Sequence, residues 1–539
     1  MTSISKKHIV YFLILILFLT GLFFRVSLDG LPENHPGNLK AANAFYHTIA
    51  ADHIAETGKI FNHPWWDAEG HDDIISTVSQ HEAVLIAPLI KLTGIPDWNA
   101  AYLIVCILSA LAIPLMYMLT RKLFNSHLIG IIAAGVLVLP LDLSNWLYYQ
   151  YIGIWLQSSV TPFMLLSFIL IIDILKKPET WKILALGINI AAVFLMFPPV
   201  LIFLFPLLLI VLWKLAFKEK KKAKRLAAYI IIPLIAIIIF MPSLLVGDIG
   251  ARINNEESPF YFATPNYDST PFAKGFEGTP IILLILFGLG IIQLLLNYKK
   301  YRPLIAYSIY FVAVVYLFPF FIHNMEYYLM RMKGFLIYLM APIIAYGIYY
   351  FIIKNIAKYF NKKTLITIVI LILLVLGGIS QFNTLKSQLN YEHIPADKYV
   401  VAKWIQENIP EDEHLFMLEG DYQLEATYFQ RVRFTLYQEE FANYIKQLQE
   451  TGDPTEVTGH WSGYIDWSKW KTRTGYLSFE EYEPLSKTQK ITDFNYIYLE
   501  SLNQQLLELN QYIASWLVQE NNYEPIYEQG RFLILKKNE

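Results

Sequence analysis

The sequence predicts an α-helical polytopic membrane domain of about eleven transmembrane helices, followed by a C-terminal extracytoplasmic α/β domain. Three observations carry this expectation. Of 539 residues, 55% are hydrophobic and only 16% are charged, which is too apolar for a soluble chain of this length. Apolar runs close to the length needed to cross a bilayer recur through the first 380 or so residues. Beyond residue 383 charged and amide residues become frequent and no further spanning run occurs. The net charge of −2 gives no basis for nucleic-acid binding. The single cysteine, Cys106, lies in an apolar run, so no disulfide forms within the chain.

In chain order the apolar runs fall at roughly 9–28, 98–120, 127–145, 153–175, 181–196, 199–217, 227–246, 279–297, 303–322, 334–353 and 364–382. The fifth and sixth, the shorter ones, meet at Phe197-Pro198-Pro199, where paired prolines break a helix and favour a turn, so the two could instead form a helical hairpin. The first follows Lys6-Lys7 and has no small-residue cleavage site after it, so it reads as an uncleaved anchor. Lys and Arg set the orientation. With the N-terminus cytoplasmic, Arg121-Lys122, Lys176-Lys177, "KEKKKAKR" (218–225), "YKKYR" (298–302) and "KNIAKYFNKK" (354–363) all fall on the cytoplasmic side. The expected domains are therefore 1–382 in the membrane, with a long first outer loop at 29–97, and 383–539 outside the cell membrane.

The C-terminal part alternates α and β signals. "ADKYVVAKWIQEN" places Val400, Val401, Trp404 and Ile405 on one helical face and stops near Ile409-Pro410. "HLFML", "FNYIYLE" (494–500) and "RFLILKK" (531–537) read as strands, with a helix near 501–520.

The first outer loop holds the polar residues of interest. "NAFYHTIAADHIAETGKI" (43–60) reads as a helix with Asn43 at the cap position and Gly58 as the stop. On it Phe45, Ile49 and Ile54 are expected to face the membrane, and His47, Asp52 and Glu56 water or a cavity. "EAVLIAPLIKLTG" (82–94) is too short to span and reads as an interfacial segment. "HPWWDAEGHDD" (63–73) is rich in oxygen ligands but lacks the spacing of a calcium loop. A solvated loop held at the interface by Trp65 and Trp66 explains it more simply, so a divalent metal is not favoured.

A helix ending in Arg25, a long outer loop with "FYHTIAADHIAETGKI", then "APLIKLTG" and "AIPLMYMLTRKLF", resembles the GT-C class of membrane glycosyltransferases. The tail phrases "VAKWIQENIPEDEHLF" and "NNYEPIYEQGRFLILKK" resemble the outer domains of its archaeal members. The resemblance implies transfer of a sugar from a polyprenyl-phosphate donor to a glycan, lipid or protein acceptor on the extracytoplasmic face. It also implies an acid a few residues before the Tyr/His of the first-loop helix. Asn43 stands there, and an amide cannot accept a proton at neutral pH. Either another acid serves, with Asp29 and Glu33 just after the first span and Asp52 and His47 on the helix as candidates, or the chain is a non-catalytic scaffold or lipid-binding protein. The "WWDYG" acceptor motif of the oligosaccharyltransferases is missing, and the short second outer loop, "WLYYQYIG", has no acid, which disfavours protein N-glycosylation. Arg331 and Lys333, opening a late span on the outer side, are the expected donor-phosphate ligands, because a guanidinium fork matches phosphate oxygens. Trp461, Tyr464, Trp467 and Trp470 are explained by the packing of a small domain better than by a glycan platform. A transporter is the third reading. The spans carry few charges, which counts against ion coupling.

Overall fold

The computed structural model describes residues 6–40, 42–58, 81–138, 155–197, 200–240, 281–317, 334–360, 363–388, 394–410, 413, 415–418, 432–436, 438–461 and 486–538. Apart from turn residues at run ends (Asn297, Gly334 and Phe335), every predicted apolar run lies on helix wherever it is described. The helices are α1 (Lys6–Asp29), α4 (Asp97–Phe124), α5 (His127–Val138), α6 (Trp155–Lys176), α7 (Thr180–Met196), α8 (Leu201–Lys218), α9 (Lys220–Phe240), α10 (Ile281–Leu296), α11 (Tyr298–Leu317), α12 (Leu336–Gly347) and α14 (Lys363–Gln388). A π-helical stretch, Ile348–Ile353, carries α12 into α13 (Lys354–Phe360). Two further helices belong to the first loop, α2 (Ala42–Thr57) and α3 (His81–Thr93). Among the described residues five helices are long and apolar enough to cross a membrane: His8–Asp29, Asp97–Phe124, Gln157–Lys176, Leu201–Lys218 and Leu336–Tyr359. Large apolar side chains are exposed on the helices, such as Phe23 on α1, Phe205 and Trp213 on α8, Ile232 on α9 and Leu373 on α14, as suits faces turned to lipid.

Local chemistry ends the helices where the sequence requires. Met196 closes α7 just before the Pro-Pro pair. Asn125 closes α4 in the left-handed region (φ 51°). Gly58 closes α2 at φ 70°, with its N–H donating to the Ile54 carbonyl at 2.9 Å. The helix α2 begins at Ala42, one residue before Asn43, so Asn43 is inside its first turn and not its cap. Pro88 is accommodated within α3.

The membrane helices share one apolar core. One charge is embedded in it. Arg25 on α1 donates to Ser109 Oγ of α4 at 3.0 Å, to the Gly21 carbonyl at 2.9 Å and to the Leu137 carbonyl of α5 at 3.2 Å. Charge-assisted bonds to three oxygens compensate the buried guanidinium and tie three helices together.

The C-terminal part is a seven-stranded mixed sheet, ordered β4-β3-β2-β1-β5-β7-β6. Its strands are β1 (Leu415–Met417), β2 (Val432–Thr435), β3 (Glu456–Trp461), β4 (Ser486–Lys490), β5 (Tyr496–Glu500), β6 (Tyr523–Gln529) and β7 (Phe532–Lys537). β1 runs parallel to β2 and β5 and the other pairs are antiparallel. Side chains of the central strands alternate between two cores. Phe416, Ile497, Leu499 and Leu535 pack with α16 (Gln438–Thr451) and α17 (Gln504–Glu520). Leu415, Met417, Tyr496, Tyr498 and Ile534 share the other core with α15 (Ala396–Asn408) and the first loop. Asn503 caps α17, its side chain accepting from the Leu506 N–H at 2.9 Å.

α15 joins the sheet to the membrane helices. Lys398 Nζ lies 2.7 Å from Glu500 Oε2, and Arg531 reaches both Glu500 and Asp397. Tyr399 packs edge-on against Trp98 of α4, with centroids 5.4 Å apart. The buried face of α15 is Tyr399, Val401, Ala402 and Ile405. Val400, expected on that face, is 52% exposed. Phe45 likewise departs from expectation. It is fully buried in the core shared with α15 and the sheet, so protein and not lipid covers it.

Candidate functional site

The segment after α1 folds back onto the start of α4. Gly30 turns the chain at φ 75°. Trp98 Nε1 and Asn99 Nδ2 both donate to the Pro32 carbonyl at 2.8 Å, and Asn38 Nδ2 donates to Asn99 Oδ1 at 2.9 Å. Asp29 is thereby enclosed: its Oδ1 lies 3.5 Å from Lys40 Nζ, with both side chains almost fully buried. Lys40 also donates to the Gly37 carbonyl at 2.8 Å. Glu33, four residues on, is exposed to solvent.

The other two first-loop candidates lie on α2. Asp52 is half-buried, and burial, with the charge of Glu56 adding to it, pushes its carboxyl up to about 6. Its surroundings include Tyr399 of α15. His47 is buried and faces α3, where its Nε2 lies 3.2 Å from Oε2 of Glu82. Glu82 is 1% exposed, and neither of its oxygens is in hydrogen-bond geometry with a partner. Burial pushes its carboxyl up to about 8, and the Ser159 hydroxyl of α6 offsets part of this. Gln157, on the same first turns of α6, is also buried with both side-chain polar atoms unpartnered.

Of the four predicted loop residues, His47 is the one that meets a buried carboxylate. Asp29 is held by Lys40, Glu33 is in water, and Asp52 borders the C-terminal part. Sequence reasoning passed over Glu82. A carboxylate opening an otherwise apolar run of thirteen residues was the available signal. Among the described residues no group of three or more His, Cys, Asp and Glu side chains is arranged to hold a metal ion. Arg331, Lys333 and the 63–73, 254–272 and 462–470 stretches lie outside the described residues.

Further along the helices an apolar cavity of about 200 Å³ opens between α4, α6, α8, α11 and α12. Phe168, Ile171, Leu207, Leu304, Tyr338 and Leu339 are among its walls. Tyr307 also lines it, but its hydroxyl is already committed, donating to the Phe203 carbonyl at 2.9 Å. At 1.5 Å per residue the α6 part of the wall begins about 14 Å beyond Ser159. The α12 part, Tyr338 to Ile343, lies in the first two turns of that helix.

No protein-family model matches the chain, and no curated protein matches it in sequence. Solved structures do match. The apo crystal structure of the Archaeoglobus fulgidus oligosaccharyltransferase superposes with TM-score 0.55 at 13% identity, covering 99% of this chain and 89% of that one. ArnT from Cupriavidus metallidurans bound to undecaprenyl phosphate superposes with TM-score 0.53 at 12% identity, covering 98% of both chains. The fold is that of the GT-C glycosyltransferases. The Archaeoglobus enzyme AglB, in complex with an inhibitory peptide and a dolichol-phosphate, also matches, with TM-score 0.54 at 12% identity over 99% of this chain and 89% of that one.

Proposed function

We propose that the chain transfers a sugar from a polyprenyl-phosphate-linked donor to an acceptor on the extracytoplasmic face of the cell membrane. The observation that carries this reading is the apolar cavity in a GT-C fold, together with its place in the chain. Arg331 and Lys333 immediately precede the helix whose first two turns line that cavity. An anionic headgroup on a long hydrocarbon tail matches a basic pair followed by an apolar recess. The dolichol-phosphate and undecaprenyl phosphate bound in two of the matching structures are of that chemistry.

In this reading the isoprenoid tail occupies the cavity between the late helices, and Arg331 and Lys333 hold the phosphate and stabilise its charge as it leaves. An eleven-span topology, as the distribution of Lys and Arg suggests, would have 29–97 and the C-terminal sheet on the same outer side. A group from the first loop takes the acceptor's proton, and the candidates there are Asp52 and His47 on α2, then Asp29 and Glu33. Burial pushes the Asp29 carboxyl up to about 6 although Lys40 lies beside it, and Glu33 is the least enclosed. A second reading, a lipid-binding protein of the same fold without activity, is favoured by Asn43 in the position where the resemblance calls for an acid.

Purified protein in proteoliposomes, supplied with a panel of polyprenyl-phosphate sugars, decides between them. Release of free polyprenyl phosphate with sugar on an acceptor is the expected outcome. Saturable binding of undecaprenyl phosphate without release from any donor would support the lipid-binding reading. No binding and no release would overturn both.

A further inference from the structure

Enclosing an ionisable side chain costs several kcal/mol unless it gains partners that replace water. The described structure meets this rule at Arg25, with three oxygens, and in part at Asp29, where Lys40 sits against one carboxylate oxygen while the other has no hydrogen-bond partner. Glu82 breaks it. Its carboxyl is 1% exposed, its oxygens lack a good hydrogen bond, and its nearest ionisable neighbour is an imidazole, not a full cation. An apolar residue there would pack into the same core, where Ala83 and Ile86 of α3 are fully buried, and would give greater stability. A costly ionisable pair that the fold does not need is a sign of chemistry, and here it is supported by position as well as by energy. The pair brings together both helices of the first loop, and Ser159 brings in the first turns of a cavity-lining helix.

We infer that Glu82 and His47 are the proton-handling pair of the transfer reaction, Glu82 being the group that receives the acceptor's proton. This rests on the transferase reading above. In the step, the acceptor's oxygen or nitrogen bonds to the anomeric carbon of the sugar. The bond from that carbon to the phosphate oxygen breaks, and its electron pair stays on the polyprenyl phosphate. The acceptor's proton passes to the Glu82 carboxylate, with His47 Nε2 3.2 Å away to share it. Neither carboxylate oxygen is in hydrogen-bond geometry with a partner, so each retains the capacity to accept an O–H or N–H donor. Of the helices packed against α3, α2 contributes His47, Asp52 and Glu56 among its described side chains and α4 contributes Asp97 in its first turn, while the charged residues Arg121 and Lys122 of α4 and Asp173 and Lys176 of α6 lie at the far ends of their helices. α6 contributes the Ser159 hydroxyl, and α7 has no ionisable residue from Ile183 to Met196. With burial holding Glu82 near 8, the carboxylate fraction, and with it the rate, rises as the pH is raised towards that value.

Steady-state transfer in proteoliposomes tests this with wild type, Glu82→Gln and Glu82→Asp, each also checked for undecaprenyl-phosphate binding by thermal shift. Glu82→Gln is expected to lose about a hundredfold or more in kcat with donor KM and lipid binding little changed, and to lose the alkaline rise. Glu82→Asp is expected to recover part of kcat and to retain a rise at a shifted pH. A wild-type kcat and pH profile in Glu82→Gln would overturn the pair while leaving the transferase reading intact. Loss of lipid binding in both variants would also overturn it, because Glu82 would then be a structural group. If the wild type transfers no sugar from any donor, the pair falls together with the reading on which it rests.

Discussion

The crossing of α10 and α12 has no room for a methyl group, and one substitution measures this. A Cβ added at Gly290 would sit 2.1 Å from the Ile343 carbonyl oxygen and 2.7 Å from Ile343 Cγ2, where ordinary contact begins at 3.4 Å. The Gly347 side of the crossing is equally close, with a Cβ there 2.6 Å from the Leu286 carbonyl oxygen and 2.8 Å from the Gly290 nitrogen. Because the obstacle is main chain, no rotamer change relieves it, and the helices must part by about 1 Å. Overpacking of this kind costs about 1–3 kcal/mol. Replacing a helical glycine by alanine otherwise gains about 0.5–1 kcal/mol from backbone entropy. The clash is the larger effect, so Gly290→Ala should destabilise. Gly288, half a turn away on α10, has nothing within 4 Å of its added Cβ and serves as the matched control. Thermal unfolding in detergent, followed by tryptophan fluorescence, should place Gly290→Ala below wild type and Gly288→Ala at or slightly above it. Ile343 also lines the apolar cavity, so Gly290→Ala should weaken undecaprenyl-phosphate binding as well. Equal midpoints for the two variants would refute the close crossing.

Three further outcomes are expected. Arg331→Ala should weaken undecaprenyl-phosphate binding in a flotation or thermal-shift assay far more than Arg331→Lys, since lysine keeps the charge and loses the fork. Equal binding by wild type and Arg331→Ala would remove Arg331 from the phosphate site. Asp52 has its folded-state carboxyl raised to about 6 by burial and then by Glu56, so its contribution to stability is present at low pH and is lost as the pH rises from the ordinary carboxylate range through 6. Asp52→Asn should therefore raise the melting temperature at pH 7 and leave it nearly unchanged at pH 4, and a gain of the same size at both would show that desolvation is not the cause. Finally, after Cys106→Ser, a cysteine at position 530 should react with an impermeant maleimide from outside intact cells and one at position 222 should not, and the reverse pattern would invert the topology.

How much of this could be read from the sequence follows from the range of the interactions involved. Helix positions depend on runs of side chains within one segment, and the Pro-Pro break and the Gly58 stop act on their own backbone, so both were visible locally. Strands β1, β5 and β7 were visible for the same reason, as apolar or alternating runs between polar stretches. The departures are all tertiary. Phe45 looks like a lipid-facing residue on a loop helix because hydropathy cannot tell lipid from a protein neighbour, and its actual neighbours are in a core completed by residues 394–534. Val400 is one position off the buried face of α15, a rotation that only the docking of Tyr399 on Trp98 decides. Asp29 could be named as an acid near the first span, but its value as a base depends on Lys40, which reaches it through a turn held by Trp98 and Asn99. Glu82 is the extreme case. Thirty-five positions separate it from His47, and no pattern in either helix announces the other. Asn43 points only to acids on α2 and its N-terminal approach, whereas the acid that adjoins His47 comes from the next helix. A loop of two packed helices can supply a carboxylate to the same surface from either member, so the residue type at one position of one helix does not by itself decide whether the fold retains a base.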